Sequence, residues 1–123
     1  MKIFWNNNYQ PNFGSKKTFK RQFKTCAYSG EKFETHNTRT IEHIIPSSEG
    51  GEDDYSNYLI VKKRWNEKRS STPLDEFIKK YPQVEENIKK AVKQKEGKTI
   101  EDMNWAEEVK KTITKAIGRN IFE

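Results

Sequence analysis

Apolar positions in this chain first cluster in two short β-branched runs and later recur at helical spacing. Thr38 to Ile45 is rich in β-branched residues (Thr38, Thr40, Ile41, Ile44, Ile45) and is stopped by Pro46, which predicts a strand. The polar run 47–56 predicts a loop, and Asn57 to Val61 a second short strand. Lys62 to Ser70, charged and built of helix formers, predicts a short helix. Thr72, Pro73 and Asp75 then supply an N-cap, a proline at the first helical position and a first-turn acid, for a helix running to about Tyr81. From Pro82, the four-residue spacing of Val84, Ile88 and Val92 predicts a second helix that Gly97 ends. A third is expected from about Ile100 to Ile117, with Met103, Val109, Ile113 and Ile117 inward and Gly118 as its stop. Upstream, weak periodicity and breakers (Asn6 to Asn8, Pro11, Gly14) predict an irregular basic segment with one short helix or strand near Phe19 to Lys24. Thr25 to Phe33 reads as a tight knuckle turned at Ser29-Gly30. The order predicts an α+β protein in one domain: a basic segment 1–24, a strand–strand–helix core 25–72 and a helical extension 73–123.

Composition narrows the class. Of 123 residues 32% are hydrophobic and 34% charged, but 7 Phe, 5 Tyr and 3 Trp suffice to anchor a small core. No 18 apolar residues run together, so no membrane span is expected. The first residues are too polar for a signal peptide, and the expected location is cytoplasmic. A single cysteine, Cys26, leaves no internal disulfide and no zinc site built from cysteine pairs. The net charge of +6 lies entirely in residues 1–41, and no acid precedes Glu31. Such a patch attracts phosphate-bearing partners whatever their sequence. Lys16, Lys17, Lys20, Arg21 and Lys24 are its candidate nucleic-acid contacts; the phenylalanines threaded among them (Phe13, Phe19, Phe23, Phe33) are expected in the core.

Chemistry concentrates in the predicted hairpin. His36 lies in a polar turn and reads as an exposed loop residue, whereas His43 sits among aliphatics directly after Glu42. A hairpin folded onto the following helix brings Glu42, His43 and Asn66 around one small volume. Glu42 and Asn66 offer oxygen ligands to a hard divalent cation such as Mg²⁺, leaving His43 to take a proton from water. A base, a metal and a nearby cation are what phosphodiester hydrolysis needs. One stereochemical demand accompanies this reading: neighbours in a regular strand face opposite sides, so Glu42 and His43 share a site only where the strand frays or bulges.

Residues 25–77 resemble the HNH endonuclease domain, the ββα-metal fold, in its zinc-free type found in RNA-guided CRISPR effector nucleases. The matching blocks are Cys26 to Gly30, Ile41-Glu42-His43-Ile44-Ile45-Pro46, Asn57-Tyr58-Leu59, Asn66 to Arg69 and Thr72 to Phe77, in order and at the family's spacing. The resemblance implies His43 as general base, Glu42 (commonly Asp) and Asn66 as metal ligands, and Asn57 as the amide that braces the loop and orients the base. It implies phosphate contact by Arg69, with Lys68 a looser candidate. Ser29 stands at the second cysteine position and Trp65 at another, so Mg²⁺ or Mn²⁺ is expected and structural zinc is not. The implied function is a metal-dependent endonuclease acting on DNA, RNA remaining open, with nicking or double-strand cleavage undecided and a dimer one route to the latter. The competing readings are a catalytically silent HNH-fold nucleic-acid-binding or inhibitory protein, and an α/β interaction protein in which Glu42 and His43 are structural.

Overall fold

The computed structural model describes residues 15–35 and 38–123. Its elements in order are α1 (Lys16–Arg21), β1 (Arg39–His43), β2 (Tyr58–Lys62), α2 (Lys63–Arg69), α3 (Leu74–Lys80), α4 (Gln83–Lys93) and α5 (Ile100–Ile117). Mixed helix and a small antiparallel sheet make it an α+β structure. The two strands pair with Arg39 opposite Lys62, Ile41 opposite Ile60 and His43 opposite Tyr58. Because side chains alternate along a strand, these six residues share one face of the hairpin; Thr40, Glu42, Leu59 and Val61 share the other.

Helices cover both faces. β2 runs directly into α2, which turns back over the second face so that Asn66 and Arg69 reach Thr40 and Glu42. Helix α1 covers the first face through Phe19, whose ring lies 6.1 Å from that of Tyr58 and 6.1 Å from that of Trp105 on α5. Phe19 and Trp105 are fully buried, and each ring buried so completely stabilises the fold by about 1.5–3 kcal/mol. Phe19 and Phe23 are thus core residues, as expected.

The knuckle docks along the open edge of β2. Thr25 bridges Lys32, and the Ala27 amide donates to the Ile60 carbonyl. Gly30 turns the chain at φ +76°, where a Cβ would also meet the Asn87 amide at 2.7 Å; that amide donates to the Tyr28 carbonyl and ties α4 to the knuckle. Buried Cys26 accepts backbone N–H groups from Ser29 and Lys62 on its sulfur.

Several local expectations change. The short helix or strand expected near Phe19 to Lys24 is a helix that starts earlier, because Ser15 caps it by accepting from the Thr18 amide. The N-cap of α3 is Pro73 and not Thr72, whose carbonyl instead accepts from the Arg69 Nε. Helix α4 ends at Lys93, before Gly97. On α5 the bounds agree and Gly118 closes the helix at φ +79°, but Met103 is 52% exposed. Stepping back from Val109 by threes and fours reaches Ala106, Trp105 and Asp102, the buried line, and leaves Met103 beside it. Residues 1–14, with Phe13, and His36 lie outside the described residues. No helix among the described residues is long and apolar enough to cross a membrane.

Candidate functional site

The loop between the strands is set by Asn57. Its Oδ1 accepts from the Ile45 amide at 2.9 Å, and its Nδ2 donates to the carbonyls of Ile45 (3.0 Å) and Glu52 (2.8 Å). The buried amide therefore clamps both ends of the loop. Gly51 lets the chain pass: a Cβ there would stand 1.7 Å from the Ile45 carbonyl oxygen. Asp54 accepts from the Ser56 amide and starts the turn back into β2.

This clamp delivers Asp53 to the end of β1. Asp53 Oδ1 lies 3.0 Å from His43 Nε2 and is hydrogen-bonded by the Tyr58 hydroxyl; Lys16 Nζ of α1 stands 3.2 Å from Oδ2. The Tyr58 hydroxyl, then His43 and Lys16, hold the Asp53 carboxyl far below its ordinary range. Burial, with the Asp53 charge beside it, pushes the Tyr58 hydroxyl up to about 12. The His43 ring packs edge-on against Tyr58 at 5.4 Å, and its side chain remains 36% exposed. Lys17, Arg21 and Lys24 are exposed and Lys20 half-buried, so the basic helix borders this cluster through Lys16.

Glu42 points the other way. β1 stays regular through His43, which pairs with Tyr58, so the strand neither frays nor bulges where a shared site needs it to. Glu42 is 5% exposed. Its Oε2 accepts from the Tyr28 hydroxyl at 2.7 Å and from the Arg69 Nη1 at 3.3 Å. Burial raises the Glu42 carboxyl against the opposing pull of Arg69 and Tyr28, and burial followed by the Glu42 charge raises the Tyr28 hydroxyl. The Arg69 guanidinium, 1% exposed, also donates to the carbonyls of His43 (3.0 Å), Ile44 (2.8 Å) and Thr72 (2.8 Å). The phosphate contact expected of Arg69 is corrected by this placement: all three guanidinium nitrogens donate inside the protein.

Asn66 sits on the same side as Glu42 but serves other groups, donating to Thr40 Oγ1 (3.2 Å) and the Ile41 carbonyl (3.1 Å). A divalent ion against Glu42 would meet the Arg69 guanidinium at hydrogen-bond range. Among the described residues no three His, Cys, Asp or Glu side chains cluster closely enough to hold a metal. With Glu42 Oε2 and Asn66 Nδ2 engaged inside the protein, the shared ion expected of this pair would have to be held by Glu42 Oε1 and Asn66 Oδ1. Lys68 is exposed on α2, its ammonium 4.5 Å from the Trp65 ring centre and 5.2 Å from that of Tyr81. Trp65 is buried with its ring edge-on to Phe77 and Tyr81.

The single volume expected for Glu42, His43 and Asn66 is thus divided by the hairpin. Sequence reading missed Asp53, Tyr58 and Tyr28. The acidic run Glu52 to Asp54, inside a hairpin loop that must return to the end of β1, carried a signal for Asp53; Tyr28, far from Glu42 along the chain, carried none.

Residues 26–74 match the family model for HNH endonuclease. Over 65 residues the chain is 38% identical to the CRISPR-associated endonuclease Cas9 of Campylobacter jejuni, an overlap of 48% of this chain. It spans only 7% of the length of that relative. No solved structure matches significantly. Nucleases of this family are generally dependent on a divalent metal, and their substrate is nucleic acid. Residues 26–74 thus carry the match to the HNH endonuclease family, an assignment that the family model and the Cas9 relative both support.

Proposed function

We propose that this protein is an endonuclease that hydrolyses DNA phosphodiester bonds with His43 as general base. The observation that carries this reading is His43 itself: a solvent-reaching imidazole, at the end of β1 in the segment matching HNH endonucleases, bordered by a basic helix. In the proposed reaction a neutral His43 takes a proton from water and the water oxygen bonds to phosphorus. The bond to the 3′ oxygen breaks, and that oxygen takes a proton from solvent, leaving a 5′-phosphate and a 3′-hydroxyl. Lys16, Lys17, Lys20, Arg21 and Lys24 hold the phosphate backbone near His43, and Asn57 keeps the loop beneath it in one conformation.

The expected ion is Mg²⁺ or Mn²⁺, as for the family, and no step is assigned to it because Glu42 is committed to Arg69 and Tyr28. Cys26 is read as structural, its sulfur used by two amides. A second reading is favoured by one observation: the internal pairing of Glu42 with Arg69 suits a fold that binds nucleic acid without cutting it. Nicking of supercoiled plasmid across divalent metals decides between them. Metal-dependent nicking that falls by ~10²–10⁴-fold in His43→Ala, the usual contribution of a positioned base, supports the nuclease. DNA binding without nicking under any metal rejects it.

A further inference from the structure

The acidic loop residue that sequence reading left unassigned has a definite place in this geometry. Asp53 Oδ1 stands 3.0 Å from His43 Nε2, and two devices hold it there. Its backbone is held from below: Asn57 clamps the Glu52 carbonyl just before it, and the Asn57 amide donates to the Asp54 carbonyl just after it. Its carboxylate is gripped by the Tyr58 hydroxyl and by Lys16. An aspartate so surrounded by donors, and held ionised by them, can only accept from an imidazole.

We propose that Asp53 is the positioning residue for His43, fixing the ring as the tautomer that carries its proton on Nε2 and presents Nδ1 as the basic nitrogen. The inference rests on the reading of His43 as base. When Nδ1 takes the proton of water, the resulting imidazolium keeps its Nε2–H on Asp53, and the carboxylate stabilises the charge without itself being protonated. Asn57 then acts on the base at two removes, through the Glu52 carbonyl and the Asp53 side chain.

The test uses the full chain, with imidazole ¹⁵N shifts at a pH where His43 is neutral and plasmid nicking in parallel. Wild-type protein is expected to show the well-separated nitrogen resonances of one tautomer, and Asp53→Ala the partly averaged resonances of two. Asp53→Ala should lose nicking by at least about 10-fold and at most about 10⁴-fold, the span between losing a metal-bound histidine's partner and losing the aspartate of a general-base histidine. Asp53→Glu should recover part of both signals. In a His43→Ala background, Asp53→Ala should cost nothing further. Nitrogen shifts identical in wild type and Asp53→Ala overturn the proposal alone, as does an equal loss of nicking with and without His43. A His43→Ala variant that nicks at the wild-type rate overturns the base reading, and the proposal with it.

Discussion

Two carboxylates flank the same strand, and their settings are opposite. Glu42 is buried, paired with a guanidinium that is itself buried, and reached by a tyrosine hydroxyl from the knuckle. Asp53 is 63% exposed at its side chain, and its partners are a solvent-reaching histidine, an exposed lysine and the hydroxyl of buried Tyr58. The first network joins the knuckle, β1, α2 and the turn before α3, and it engages Glu42 Oε2 and all three nitrogens of the Arg69 guanidinium inside the protein. The second joins α1 to the hairpin loop and leaves an imidazole facing solvent. Adjacent residues of β1 thus feed two different tasks: Glu42 holds the fold together and His43 stays available for chemistry.

The largest expected effect breaks the buried side. Arg69→Met leaves Glu42 charged, buried and unpaired, and should cost about 3–5 kcal/mol of stability, read from the midpoint of urea unfolding. Adding Glu42→Leu should restore part of that loss, because the uncompensated charge is removed while the carbonyls of His43, Ile44 and Thr72 still lack the Arg69 donor. His43→Ala in the same assay should leave the midpoint nearly unchanged. An Arg69→Met protein as stable as wild type would refute the division of labour.

Gly51→Ala strikes the clamp between the two regions. A methyl group 1.7 Å from the Ile45 carbonyl oxygen forces the loop to move, and with it Asp53. The expected cost is about 1–3 kcal/mol, the range for a strained or overpacked position, together with altered His43 nitrogen shifts. Unchanged stability and shifts would show that the loop does not transmit Asn57 to the cluster.

On the exposed side, exchanging Lys17, Lys20, Arg21 and Lys24 for glutamine should weaken binding to DNA of every sequence alike. It should also flatten the dependence of log K on log salt by about 0.9 for each phosphate contact removed. A salt slope equal to wild type would make α1 a merely solvated face.

The smallest effect separates the regions by the sign of their pH dependence. Glu42 has a raised carboxyl, so the folded state holds more protons there than the unfolded chain. Its contribution is fully present below the ordinary value of 4.5 and declines as pH rises through the raised value. Asp53 is lowered, so its contribution is present above the ordinary 3.8 and is lost as pH falls below it. Unfolding of Glu42→Gln and Asp53→Asn followed across pH 2–8 should remove slopes of opposite sign, the Asp53 slope being shallow because solvent screens so exposed a pair. Slopes of the same sign would undo the contrast.

Much of the scaffold was legible along the chain. The β-branched runs around a polar loop became the hairpin, the Ser29-Gly30 turn became the knuckle, and Gly118 closed the last helix where its pattern ran out. Those features are local: propensity, spacing and turn chemistry act over a few residues. The motif blocks were legible for the same reason, since each is a short contiguous string. Even the separation of Glu42 from His43 was implied by the two-residue period of a strand.

Which side of that strand is interior depends on contacts far apart along the chain. Tyr28, Glu42 and Arg69 lie 14 and 27 residues apart in sequence, and their meeting depends on how the knuckle and α2 close over one face of the hairpin. Arg69 therefore reads as a free cation in the sequence and becomes a buried one in the fold. Asp53 and Lys16, 37 residues apart, meet at His43 only because α1 packs on the opposite face. The elements and the chemistry available to them follow from the residue order alone, because both are written in short-range pattern. Which charges neutralise one another and which remain for a substrate was left to long-range packing, since the burial that sets the strength and the partner of a charge exists only once the layers are assembled.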